Sequence, residues 1–255
     1  MLEATLRRDR IVIAAGLAAL SLLAWAAITW MDAMPAGGMS SMAMPAMPGM
    51  AGHDAPGLAW LIAMWAVMMV AMMLPSAAPM ILLFAGVSRR RRQEGRPAVP
   101  AAVFTLGYLL IWTAYAAIAG TAQWKLHGLA LLSPAMASAS PLLAGGLLIA
   151  AGIYQWLPIK AACLSHCRSP IGFFSHEWRE GVGGALLMGM RHGTYCVGCC
   201  WLLMALLFVA GVMNLLWVAA LAGLVLLEKL VRGGPLLGRI AGAALFWWGL
   251  WVIWA

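Results

Sequence analysis

Charge is scarce in this chain. Only 9% of its 255 residues are Asp, Glu, Lys or Arg, eight of these are acidic, and apolar residues reach 64%. Long uncharged runs then leave no soluble domain of useful size, and the composition reads as an all-α, polytopic transmembrane helix bundle forming a single domain over residues 1–255. A nucleotide-binding loop is also missing, so any movement of a solute would follow a gradient or a partner, and a binding role is favoured over an enzymatic one. Cysteine is absent from most of the chain. All five cysteines fall in two short clusters, and the first of these lacks the CxxC pair of a zinc finger.

What basic charge exists sorts by position. The sixteen Lys and Arg residues give a formal net charge of +8, yet they stand in short groups between apolar runs, which argues for topology and against nucleic acid. The runs are 11–30, 58–87, 101–123, 141–157, 194–210, 215–227 and 240–254, about seven spans. With the N-terminus in the cytoplasm, Arg7, Arg8, Arg10, Arg89, Arg90, Arg91, Arg92, Arg96, Lys160, Arg168, Arg179, Arg191, Lys229, Arg232 and Arg239 fall inside, and only Lys125 falls outside. The expected location is a bacterial inner membrane, crossed several times, with the first run an uncleaved anchor. The run 58–87 would measure roughly 45 Å as a helix against a hydrocarbon core of about 30 Å, so it must tilt, kink or leave the bilayer near Pro75 and Pro79. A short turn at 211–214 makes the spans on either side of it an antiparallel hairpin.

The chemistry concentrates at one place. In Arg191-His192-Gly-Thr-Tyr195-Cys196-Val-Gly198-Cys199-Cys200, His192, Cys196, Cys199 and Cys200 share one helix face. Cys163-Leu-Ser-His166-Cys167 repeats the spacing in the connection 158–183, which the charge pattern places in the cytoplasm. Both clusters therefore sit at the same membrane face and can meet. Thiolate with imidazole selects Cu(I), Zn(II) or an iron-sulfur cluster over hard cations, and a reducing compartment keeps the thiols available. Single buried cysteines are ordinary packing residues, but five with two histidines at one face are not. Glu228, the one acid in the last three runs, returns to similar depth as a further candidate, with pairing to Lys229 or snorkelling to water as the alternative.

Methionine adds a second line. The connection 31–57 is rich in Met, Gly and Pro and carries Met42, Met44, Met47, Met50 and His53; it is expected as an irregular periplasmic loop. Thioethers bind Cu(I) without deprotonation and so work where thiols would oxidise, although a loop lying on the bilayer surface would read similarly. In the second run Met64, Met68 and Met72 recur every fourth residue, with Met69 and Met73 beside them and Met80 beyond. This stripe is either packing or a ladder of soft ligands leading inward. Its Met-x-x-x-Met spacing is similar to that of the eukaryotic high-affinity copper transporters.

Three motifs together carry a broader resemblance. Met64-Trp-Ala-Val-Met-Met-Val-Ala-Met-Met-Leu-Pro75, Cys163-Leu-Ser-His166-Cys167-Arg-Ser-Pro170, and the His192 to Trp201 stretch with Met213-Asn214 resemble a bacterial family of metal-binding integral membrane proteins without an assigned function. The resemblance implies an inner-membrane protein with a metal site and supplies no reaction. The expected function is soft-metal binding, Cu(I) first and zinc second, in transport, storage or delivery, with the bilayer, the ion, and a membrane enzyme or metallochaperone as partners. The alternatives are a thiol oxidoreductase using Cys196 with Cys199 or Cys200, and an accessory subunit of a membrane complex. The closing Phe246-Trp247-Trp248-Gly-Leu-Trp251 run suits the last reading and equally suits a membrane interface.

Overall fold

The computed structural model describes residues 2–33, 57–129, 131–132, 138 and 140–255, with side chains of the first segment from Arg10 onward. The helices are α1 Leu2–Asp32, α2 Leu58–Gln93, α3 Ala101–Gly128, α4 Pro141–Tyr154, α5 Pro158–Arg168, α6 Pro170–Glu177, α7 Gly181–Ala205, α8 Leu207–Ala210, α9 Leu215–Leu230 and α10 Gly234–Trp254. Five helical stretches are long and apolar enough to cross a membrane, or six when the bent pair α4 and α5 is one span. The expected seventh is α9, whose 16 residues reach about 24 Å and fall short of a typical hydrocarbon core.

Much of the surface is apolar, and a few charged and ionisable side chains are inside, the reverse of a soluble protein. Leu22, Ile118, Leu142, Leu216 and Trp247 point outward, whereas Lys160, Glu228, Lys229 and His192 are buried. Such a surface is compatible with a multi-pass membrane protein. Without water outside, helix association rests on close packing and interhelical hydrogen bonds.

Three helices form the frame. α2 is unbroken through Pro75 and Pro79, although each proline removes a backbone donor from the ladder. It ends where Arg90, Arg91 and Arg92 fill the last turn and complement the helix dipole. α3 runs antiparallel to it: Trp65 donates to Gln123 Oε1 (2.6 Å) near one end and Ser88 to the Val99 carbonyl (2.8 Å) near the other. α7 runs parallel to α3, since Phe104 lies opposite Gly189 and Tyr115 donates to the Trp201 carbonyl. A side chain at Gly107 or Gly189 would run into the facing backbone at Leu186 and Phe104, so the two helices touch main chain to main chain. α1 lies against α2.

A second unit leans on this frame. α4 and α10 are antiparallel neighbours, and a Cβ at Gly152 would stand 2.7 Å from the Gly242 carbonyl. α4 stops where Tyr154 donates to the Gly198 carbonyl on α7, and the chain then turns 65° into α5. The hairpin expected at 211–214 is present: Gly211 takes φ 97°, and the Asn214 side chain caps α9 by accepting from Trp217 N–H.

Two expectations about the site's setting change. The helix bearing His192 and its cysteines begins at Gly181, with a continuous apolar stretch Gly181–Ala210, so the cysteines lie near its middle and not at an end. Gly183, Gly184 and Gly189 disguise this first half as loop. The connection 158–183 is largely helical, forming α5 and α6, and α5 packs on α7.

Candidate metal centre

The i, i+3, i+4 spacing on α7 places Cys196, Cys199 and Cys200 in one buried patch, each at most 1% exposed. The Cys199 and Cys200 thiols donate back to the Cys196 carbonyl at 3.1 and 3.0 Å. α5 brings a fourth thiol: the Cys167 side chain lies close enough to those of Cys196 and Cys199 to interact with both. Gly198 makes room for this approach, because a Cβ there would lie 2.8 Å from Cys163 Sγ. The two cysteine clusters therefore meet, as their positions in the sequence suggested.

Three other helices complete the surroundings. From α2, Met73 Sδ lies 3.9 Å from Cys200 Sγ. From α3, the Tyr108 hydroxyl lies 3.1 Å from Cys196 Sγ and donates to the Met73 carbonyl at 3.1 Å. From the end of α9, the Lys229 ammonium donates to Cys196 Sγ at 2.9 Å and to Ser76 Oγ at 3.0 Å. Tyr108, Lys229 and Ser76 were not among the residues singled out from sequence. Only Lys229 left a signal, as a lysine beside Glu228 at the close of an apolar run.

The two histidines differ in their surroundings. His166 stacks on Tyr195 (4.2 Å between ring centres) and bonds the Ala162 carbonyl through Nδ1, on an exposed position. His192 is buried among the rings of Phe104, Tyr108 and Phe173, one turn from Cys196, and its Nδ1 has no partner. Among the described residues no group of three or more His, Cys, Asp or Glu side chains is arranged to hold a metal ion. Two of the thiols are instead engaged with one backbone acceptor, the Cys196 carbonyl.

Glu228 departs from its expected partner. It pairs with Lys160 (2.7 Å), with both groups at most 4% exposed, and not with Lys229. Consecutive helix positions lie about 100° apart, so neighbours in sequence face different ways. Lys160 also donates to Gln155 Oε1, and Arg168 to the backbone carbonyls of Glu228 and Arg232. Glu228 belongs to this ionic network and stands outside the thiol patch.

The methionine stripe is interior. Met64, Met68, Met69, Met72, Met73 and Met80 are each at most 2% exposed, which leaves no lipid-facing role for them. Met42, Met44, Met47, Met50 and His53 lie outside the described residues.

The donor chemistry is soft throughout, four thiols and a thioether beside a cation. Comparison with known proteins gives the same direction: no curated protein and no solved structure matches the chain, but a family model described as "PpoB2: Copper chaperone" matches residues 62–252, most of its length. The chain belongs to this copper chaperone family.

Proposed function

We propose that the protein is a membrane carrier of Cu(I), which it receives as cargo on the thiols of α7 and α5 and passes to a protein partner. The observation that carries this reading is the meeting of Cys167 with Cys196 and Cys199, beside Cys200 and Met73, in a buried place shared by separate helices. On binding, thiols lose their protons and act as thiolates, whereas thioethers bind neutral and exchange readily. Met64, Met68 and Met72 would lead the ion down α2 to Met73 and so to Cys200. Cys163, placed against Gly198, extends the sulfur surface toward α5. His192 lies within a turn of Cys196 and is the nearest imidazole by sequence. Zinc, which favours a closed tetrahedral set, suits this arrangement less well than an ion content with a pair of sulfurs.

Orientation and destination belong to the same proposal. The distribution of basic residues supports an N-terminus in the cytoplasm of a bacterial cell, which would put the methionine-rich segment outside, where thioethers survive oxidation that thiols do not. Delivery to a membrane enzyme or a metallochaperone supplies the direction that a nucleotide would otherwise provide.

The test is copper content. Protein purified under reducing conditions should hold Cu(I) against a competing chelator, and Cys196→Ser/Cys199→Ser should lose it. Unchanged metal content in that variant would overturn the reading. A second reading, thiol redox exchange, draws on the same Cys167 to Cys196 approach across two helices, a freer geometry than a pair within one helix. It requires a defined dithiol potential in metal-free protein, which a carrier does not.

A further inference from the structure

We infer that Lys229 is the charge partner of the bound ion, tuning the centre to a monovalent soft metal against a divalent one of the same coordination geometry. The inference rests on the copper reading above and concerns how the site tells ions apart.

Lys229 is 7% exposed, and its ammonium reaches two groups, Cys196 Sγ and Ser76 Oγ. The neighbouring acid is engaged elsewhere, as Glu228 faces Lys160. Among the described residues no carboxylate forms an ion pair with Lys229. A buried cation held by neutral dipoles alone is strongly disfavoured in a low-dielectric interior. The anion that completes it must come from the sulfur side.

Counting charge shows which cargo supplies it. When a monovalent ion binds two thiols, two S–H bonds break, two sulfur–metal bonds form, and the protons leave to solvent. The resulting unit carries one negative charge, and Lys229 brings the total to zero. A divalent ion on the same two sulfurs gives a neutral unit, and Lys229 then stands as an uncompensated positive charge. Ag(I) and Hg(II) both accept two sulfurs in a line, so they differ in charge at matched geometry. Tyr108, also at Cys196 Sγ, contributes a neutral hydroxyl and leaves the count unchanged.

The experiment measures Cu(I), Ag(I) and Hg(II) affinities by competition with a small dithiol in detergent, for the full chain and three variants. Lys229→Met removes the charge and leaves an apolar side chain suited to a buried position. Lys229→Gln keeps donors for Cys196 and Ser76 without the charge, and Lys229→Arg keeps the charge. Lys229→Met and Lys229→Gln should each lower Cu(I) and Ag(I) affinity about a hundredfold, as expected for losing one close buried charge. Hg(II) affinity should stay within about threefold of the parent, and Lys229→Arg should retain most of the Ag(I) affinity. Equal losses for Ag(I) and Hg(II) would assign Lys229 a packing role and overturn the inference, as would a Lys229→Gln variant that binds Ag(I) like the parent. A parent protein that binds Hg(II) but neither monovalent ion overturns the copper reading itself, and this inference with it.

Discussion

Two consecutive residues at the end of α9 serve two different interiors. Glu228 enters an ionic network with Lys160, Gln155 and Arg168, contributed by α5 and the turn before it. Lys229 enters a sulfur patch with Cys196, Cys200 and Met73, contributed by α7 and α2. In the first, a positive group already has its negative partner, and the arrangement is a structural tie. In the second, the positive group faces sulfur, whose charge depends on what it holds. A buried charge that is paired within the chain belongs to the fold, and one that is not belongs to the ligand.

This contrast can be broken experimentally, beginning with the ionic side. Glu228→Ala should cost about 3–5 kcal/mol, because it strands Lys160 in the interior, and Lys160→Met/Glu228→Leu should recover most of it. Thermal unfolding in detergent checks both, and a double variant no better than the single one would mean that the pair does more than hold the fold. On the sulfur side the larger effect should be on binding. Gly198→Leu places a side chain where Cys163 sits, parting α5 from α7, and should weaken Cu(I) by roughly 10–100-fold in a competition titration. His166→Ala should leave copper stoichiometry unchanged, since that ring stacks on Tyr195 and bonds the Ala162 carbonyl; lost copper would make the histidine a ligand. Smallest of all, Arg90→Ala removes an exposed contact to Glu94 (3.5 Å) and should shift stability by less than about 1 kcal/mol.

The sequence disclosed the helices and the sulfur better than the charges. Apolar runs located the long helices, and the spacing of Cys196, Cys199 and Cys200 gave their shared face, because both depend on local periodicity. The start of α7 was hidden by glycines, of which Gly189 serves close packing against α3. α9 read as a full span because its composition is apolar, although its length falls short of a bilayer core. Tyr108 gave no sign in its apolar run, since only the fold turns it toward Cys196. Lys229 and Glu228 misled by adjacency, which suggests a pair along the chain but means divergence around a helix.

The contact of Gly152 with Gly242 makes α4 and α10 a strut with no side-chain slack between its members. Beyond the strut, the chain turns 65° into an eleven-residue tip, moored near one end by Lys160 and at the other by Arg168. Cys163 and Cys167 ride on that tip, beyond the joint, whereas Cys196, Cys199 and Cys200 are set in the frame. The sulfur surface therefore spans a bend in the chain, and the moorings of Lys160 and Arg168 set how closely its two halves approach.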